Sequence, residues 1–150
     1  MSLNEEVELL RNIPLFAKLE PSKLKLLAFT SERITYKADQ VLFRQGDFGD
    51  AAYIIVEGAA AVLVETGEGE IEVATLGRND FVGEIAILCD VPRTATVKAT
   101  TQTITLRITK DLFFRLVAEF PAMSVEIMRE LASRLERTTQ QLREALAKNA

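Results

Sequence analysis

Between residues 34 and 108 the chain changes character every few residues, and that rhythm restricts it to a fold of short antiparallel strands. Short β-branched or alternating apolar runs occupy 41–43, 53–56, 59–64, 71–76, 95–99 and 104–108. Turn signals separate them, namely Gln45-Gly46-Asp47, Glu57-Gly58, Thr66-Gly67-Glu68-Gly69 and Gly77-Arg78-Asn79-Asp80. Closely spaced strands joined by polar glycine turns predict an antiparallel roll or barrel.

Helical periodicity flanks this region on both sides. Upstream, Pro21 is suited to opening a helix in which Leu24, Leu27 and Ala28 recur on one face, and Ile13-Pro14-Leu15-Phe16 reads as a packed connection. Downstream, Thr109 is a candidate N-cap, Asp111 falls in the first turn, and Leu112, Phe113, Leu116, Val117 and Phe120 make an apolar stripe. Pro121 ends that helix and can start the next, which runs unbroken over 122–147. Met128, Leu131, Leu135, Leu142 and Ala145 fit a heptad seam with Thr138 in a remaining core position, so this helix is expected to find a partner, a second copy of the chain being the candidate. At 150 residues the chain is expected to form one domain: an N-terminal helical segment (1–33), a β-roll (34–108) and C-terminal helices (109–150).

Composition removes several classes of chemistry. There is no histidine, which excludes Ser-His-Asp and Cys-His catalysis and the HExxH zinc site. With a single cysteine, Cys89, neither an intrachain disulfide nor a cysteine-ligated cluster can form, and Cys89 reads as a small apolar side chain. The formal charge of −4 opposes binding to a phosphate backbone. No apolar run approaches the roughly 20 residues of a membrane helix, and the first ten residues lack the pattern of a signal peptide, so a cytoplasmic location is expected.

The segment 81–97 interrupts the strand rhythm with a short apolar turn. Gly83 lets the backbone approach a ligand closely, and the amides of Glu84, Ile85 and Ala86 at a helix start make an anion cradle. Arg93 returns after a loop stiffened by Pro92, and its planar fork of donors suits a phosphate. Beside an anion, Glu84 makes sense if its carboxylate accepts a hydrogen bond from a sugar hydroxyl. The competing account is an ordinary Glu84–Arg93 salt bridge with Gly83 serving a turn.

Phe81, Gly83, Glu84, Ala86, Pro92, Arg93, Ala95 and Val97 together resemble the phosphate-binding cassette of the cyclic nucleotide-binding domain family, F-x-G-E-x-A-x-x followed by a loop and P-R-x-A-x-V. The resemblance extends through 13–16, 42–47, 53–58 and Arg134-Leu135. It implies a mainly β fold, an eight-stranded antiparallel β-roll of jelly-roll type with N-terminal helices and two C-terminal helices. It further implies that Arg93 neutralises the cyclic phosphate, that Glu84 takes the ribose 2′-hydroxyl, and that amides near Ile85, Ala86 and Ala95 complete the cradle. Val62, Val73, Ala74 and Val82 would form the apolar wall under ribose and base.

The choice of nucleotide rests on three threonines. Thr94 follows the phosphate arginine and resembles the residue of cGMP-selective kinase domains. Thr138 and Thr139 fall where the bacterial catabolite activator has residues that contact the adenine amino group. The expected ligand is therefore cAMP, with cGMP as the alternative, bound by a regulatory domain that is no enzyme, needs no metal or cofactor, touches no membrane and by this chain alone no nucleic acid. The expected response is movement of the helices from Asp111 onward. A domain that keeps the same fold only to dimerise, without a ligand, is the reading from another class.

Overall fold

The computed structural model describes residues 3–13 and 16–148, and of Ile85 only the backbone. Pro14 and Leu15, within the expected packed connection, lie outside the described residues. The elements run α1 (Leu3–Arg11), α2 (Pro21–Thr30), β1 (Glu32–Tyr36), β2 (Val41–Phe43), β3 (Ala51–Glu57), β4 (Ala60–Thr66), β5 (Gly69–Leu76), β6 (Phe81–Val82), α3 (Glu84–Cys89), β7 (Thr96–Ala99), β8 (Thr103–Thr109), α4 (Lys110–Glu119) and α5 (Pro121–Lys148). The strands form two antiparallel four-stranded sheets, ordered β1-β8-β3-β6 and β2-β7-β4-β5. The expected eight-stranded roll flanked by helices is what the chain forms.

Strand β3 sits between two cores, and its side-chain alternation sorts residues between them. Ala52, Ile54 and Val56 face the helices, where they join Leu10, Phe16, Leu24, Phe113 and Leu116; Tyr53 and Ile55 face the inside of the roll with Leu42, Val82, Val97 and Ala99. A strand covered on both faces reads as a continuous apolar run, which is why the period-two signal is missing from it. Phe81 of β6 anchors the cassette to the outer core, edge-on to Phe16 at 6.2 Å and stacked on Phe113 at 5.9 Å.

Pro21 occupies the first turn of α2, as its fixed φ and missing N–H favour. Thr109 caps α4, its hydroxyl accepting the Leu112 N–H at 3.3 Å. Thr109→Ala is expected to lower stability by about 1 kcal/mol in urea melts, since it leaves an N-terminal amide of the helix without its partner. The first half of α5 lies on the outer core through Met123 and Ile127, while beyond Leu131 the helix extends with nearly all of its side chains exposed. No helix among the described residues is long and apolar enough to cross a membrane.

Candidate functional site

The cassette is a left-handed turn, a short helix and a loop folded back to the start of β7. Gly83 opens α3 with φ +92°, a conformation disfavoured for residues with a Cβ, and Asp90 closes it with φ 52°. The returning loop is pinned by main-chain pairing to residues 46 and 47: the Arg93 N–H donates to the Asp47 carbonyl and the Gly46 N–H to the Arg93 carbonyl, each at 2.8 Å. The Gln45 N–H adds a bond to Thr96 Oγ1 at 2.9 Å. Arg93 is thereby carried inward, where it is 4% exposed.

The guanidinium is enclosed on several sides. Nη1 donates to the Gly83 carbonyl at 2.8 Å and Nη2 to the Ala51 carbonyl at 2.6 Å, while the Phe43 ring lies 4.0 Å from Cζ. Glycines make room for it. A Cβ on Gly83 would stand 2.7 Å from Nη1, and one on Gly49 would stand 2.9 Å from Cζ and 2.6 Å from the Ala86 Cβ. Gly49→Ala is therefore expected to cost about 1–3 kcal/mol by overpacking, read by thermal melts, and to push the guanidinium off its carbonyls.

Two features set Arg93 apart from a structural arginine. No carboxylate lies within ion-pair distance of it among the described residues, and its Nε–H is buried without an acceptor. Burial is the main influence on its proton affinity and lowers it from the usual value, with Tyr53 and then Asp50, Asp47 and Glu84 opposing the shift. An arginine nevertheless keeps its charge at neutral pH. The result is a buried cation with an unused donor, a site chemically suited to an oxyanion.

The expected alternative, a Glu84–Arg93 salt bridge, does not form. Glu84 turns away from Arg93 to Arg134 of α5, whose Nη1 donates to its carboxylate while Nη2 donates to the Phe81 carbonyl. Burial raises the Glu84 carboxyl above its ordinary range, and the Arg134 charge opposes this. Arg134 is also 3.8 Å from Glu130, one turn earlier on the same helix. One arginine thus ties the long helix to both the carboxylate and the backbone of the cassette. A cavity of about 440 Å³ opens beside this tie, between Asn12 and Ile13, residues 79–81, and 126–127 with 129–131 of α5; Glu84 lines it and Arg93 does not.

The remaining expected residues fall as follows. Val82 is buried in the roll interior and Val62 packs against the same cluster; Ala74 is the cross-strand partner of Val62 and is exposed. Val73 sits at the irregularity in the β4–β5 pairing and is half exposed. Ile85 contributes its backbone to α3 and Ala86 is buried within it; Ala95 is half-buried and Thr94 exposed. On α5, Thr138 is exposed and Thr139 partly buried, beyond Arg134 in the stretch that leaves the roll. Leu131, read from the sequence as a seam residue, packs on the outer core instead. The exposed apolar face of α5 comprises Val125, Met128, Leu135, Leu142 and Leu146; it keeps Met128, Leu135 and Leu142 of the expected seam and replaces the intervening positions, with Leu131 turned to the core. Sequence reasoning gave no role to Gly49, Phe43 or Ala51 at the guanidinium, nor to Arg134 at Glu84.

A two-sheet roll holding a buried arginine that has no carboxylate partner among the described residues, beside a glycine-bracketed turn, is chemically suited to a small anion. Residues 33–120 match the family described as the cyclic nucleotide-binding domain, and the chain belongs to that family. It is 31% identical over 125 residues to a cAMP-dependent protein kinase regulatory subunit of Emericella nidulans, a match covering 83% of this chain and 29% of that protein. It is 28% identical over 136 residues to a CRP-like cAMP-activated global transcriptional regulator of Mycobacterium tuberculosis, covering 90% of this chain and 61% of the regulator. Among solved structures, the catabolite activator protein of Thermus thermophilus superposes with a TM-score of 0.77 at 28% identity, over 86% of this chain and 61% of that one. The chain therefore spans less than two thirds of each of these relatives.

Proposed function

We propose that this chain is a cAMP sensor in which Arg93 receives the cyclic phosphate and Glu84 the ribose 2′-hydroxyl. The observation that carries the reading is the buried Arg93 guanidinium, which among the described residues has two carbonyls, no carboxylate partner and an Nε–H without an acceptor. A phosphate oxygen would supply that acceptor and the missing negative charge together, and the cassette amides of Glu84, Ile85, Ala86 and Ala95 would complete the cradle. Val62, Val82 and Ala74 would line the ribose and base, with Val73 at the rim. The absence of histidine from the sequence supports binding without turnover, and a cytoplasmic setting fits a diffusible ligand.

The names of the relatives favour cAMP over cGMP, and Thr138 and Thr139 lie on the helix that would reach the base. Thr94, exposed beside the phosphate arginine, supports cGMP as a second reading. Calorimetric titration with cAMP, cGMP and AMP tests both. Expected is one site per chain, tightest for cAMP and absent for AMP, whose doubly charged phosphate monoester does not match a site for a singly charged cyclic phosphodiester. No heat with either cyclic nucleotide at millimolar concentration would refute the reading.

Coupling follows from competition for Glu84. While Arg134 holds that carboxylate, α5 is fastened to the cassette; a ribose hydroxyl that takes the carboxylate loosens the fastening, so ligand and helix position are linked. The outward face of α5 is proposed to pair with a second copy. Val125, Met128, Leu135, Leu142 and Leu146, with Ala132 and Thr139 in the gaps, follow the three-and-four spacing of a two-stranded coiled coil. Leu135→Glu combined with Leu142→Glu is expected to raise the dimer dissociation constant about a hundredfold or more, read by light scattering, since it places charges where two leucines would be buried.

A further inference from the structure

The stretch from Phe43 at the end of β2 to Ala51 at the start of β3 grips Arg93 at several points. Main-chain pairing at Gly46 and Asp47 fixes its backbone, the Ala51 carbonyl takes Nη2, and Gly49 leaves the space that the guanidinium fills. Phe43 supplies the contact of a different kind. Arg93 Cζ lies over its ring, 4.0 Å from the centroid. The face of an aromatic ring carries the negative part of its quadrupole and attracts a cation there. Such a face holds the cation without taking a hydrogen bond from it, and the Nε–H keeps no acceptor among the described residues.

The ring is itself held in place. Phe43 pairs with Val97 of β7, at an irregularity in the β2–β7 register. The Tyr53 ring stands 5.8 Å from it, tilted by 32°, and Tyr53 is buried in β3 opposite Val82 of the cassette. On the cassette side, a Cβ on Gly83 would stand 3.4 Å from Phe43 Cε2. Phe43 is only half-buried, at the margin of the inner core. A branched aliphatic side chain would serve that margin equally well, whereas a ring face turned to a buried cation does something that an aliphatic group cannot.

We propose that Phe43 is a positioning residue for the ligand: its ring holds the Arg93 guanidinium in the orientation that reserves the Nε–H for an oxyanion. This rests on the reading of Arg93 as the phosphate site. The contact lies within the chain itself, so it acts on affinity by preorganisation. Without the ring, binding would have to restore an orientation that the wild-type chain already holds.

The test is cAMP affinity by calorimetry in the full chain, with Phe43→Leu, Phe43→Tyr and Phe43 replaced by a trifluorinated phenylalanine. Ring fluorines drain the face of negative charge while nearly keeping its shape, so this replacement also serves where Phe43→Leu loosens the roll. Phe43→Leu is expected to weaken binding about tenfold, the size of a cation–π contact partly removed from water. The fluorinated ring is expected to weaken it about threefold or more, and Phe43→Tyr to stay within about twofold of the wild type. Full affinity in Phe43→Leu would overturn the proposal. So would a fluorinated ring that leaves binding at the wild-type level, since Phe43 would then act by shape alone.

Exchange of the Arg93 Nε–H with water, measured without nucleotide, separates this failure from that of the binding reading. It is expected to be faster with the fluorinated ring and to stay slow in Phe43→Tyr. If the wild-type chain binds no cyclic nucleotide, the phosphate role falls, whereas the hold of Phe43 on Arg93 falls only if the fluorinated ring leaves this exchange unchanged.

Discussion

Arg93→Ala is expected to lower cAMP affinity several-hundred-fold or more and to destabilise the ligand-free chain as well. The binding loss follows from removing a planar, buried donor pair from a phosphate, worth about 3 kcal/mol or more when the lost hydrogen bonds are charge-assisted. The stability loss has a separate origin. The carbonyls of Gly83 and Ala51 both accept from Arg93, and truncation leaves them without that donor beside a void against Phe43. About 1–3 kcal/mol is expected for each buried acceptor that water does not reach. Arg93→Lys distinguishes the two contributions. It keeps the charge but not the fork, so it should recover part of the stability and little of the affinity. Calorimetry and urea melts on the same preparations give both numbers, and an Arg93→Ala variant that binds cAMP like the wild type would exclude this residue as the phosphate site.

Arg134→Ala is expected to produce the largest pH-dependent effect. It removes the only cation paired with Glu84 among the described residues, whose side chain is 4% exposed, and so leaves a buried carboxylate without a counter-charge. Breaking a buried pair from one side costs about 3 kcal/mol or more when the stranded charge cannot reach water. Burial already raises the Glu84 carboxyl, and losing Arg134 raises it further, because Arg134 is the main opposing influence. A carboxyl raised in the folded state favours the protonated form there. The destabilisation is therefore absent below the unfolded carboxyl value, grows as pH rises between the unfolded and folded values, and is complete above the folded one. Glu84→Gln should be milder, since the Arg134 it leaves behind is 31% exposed and can turn to solvent and Glu130. Urea melts across pH check the asymmetry. If Arg134 competes with the ribose for Glu84, the same Arg134→Ala variant should also bind cAMP more tightly; weaker binding would mean that Arg134 assists the ligand instead.

The parts of this molecule that were legible in the sequence are those specified locally. Thr109 as a cap, Pro21 in a first turn and the break at Pro121 each depend on a few neighbouring residues, and all three fall where their chemistry places them. Two strands gave no usable signal. Residues 32–36 form β1 with a largely exposed, charged pattern, because it lies at the edge of its sheet, and β6 is two residues long. Their strand character comes from pairing with β8 and β3, which no local window contains.

The site divided along the same line. The cassette residues follow one another in the chain, so their grouping was visible. The partners that decide what they do were not: Arg134 reaches Glu84 across 50 residues, and Ala51 reaches Arg93 across 42. Gly49 was silent for another reason. It needs space rather than a left-handed backbone, and space is a property of the packed guanidinium and Ala86, not of the turn that contains the glycine. On α5 the expected seam holds at Met128, Leu135 and Leu142 and fails at Leu131, which is apolar for the core beneath it; a heptad count alone cannot tell inward from outward residues.

The most direct measurement is the Arg93 Nε–H resonance of the isotope-labelled chain during titration with cAMP. Among the described residues that proton has no acceptor. Saturating cAMP is expected to shift it strongly and slow its exchange with water, in a one-to-one titration that Arg93→Lys abolishes. A resonance unmoved by millimolar cAMP, with binding registered elsewhere in the chain or nowhere, would contradict the assignment of Arg93 to the phosphate.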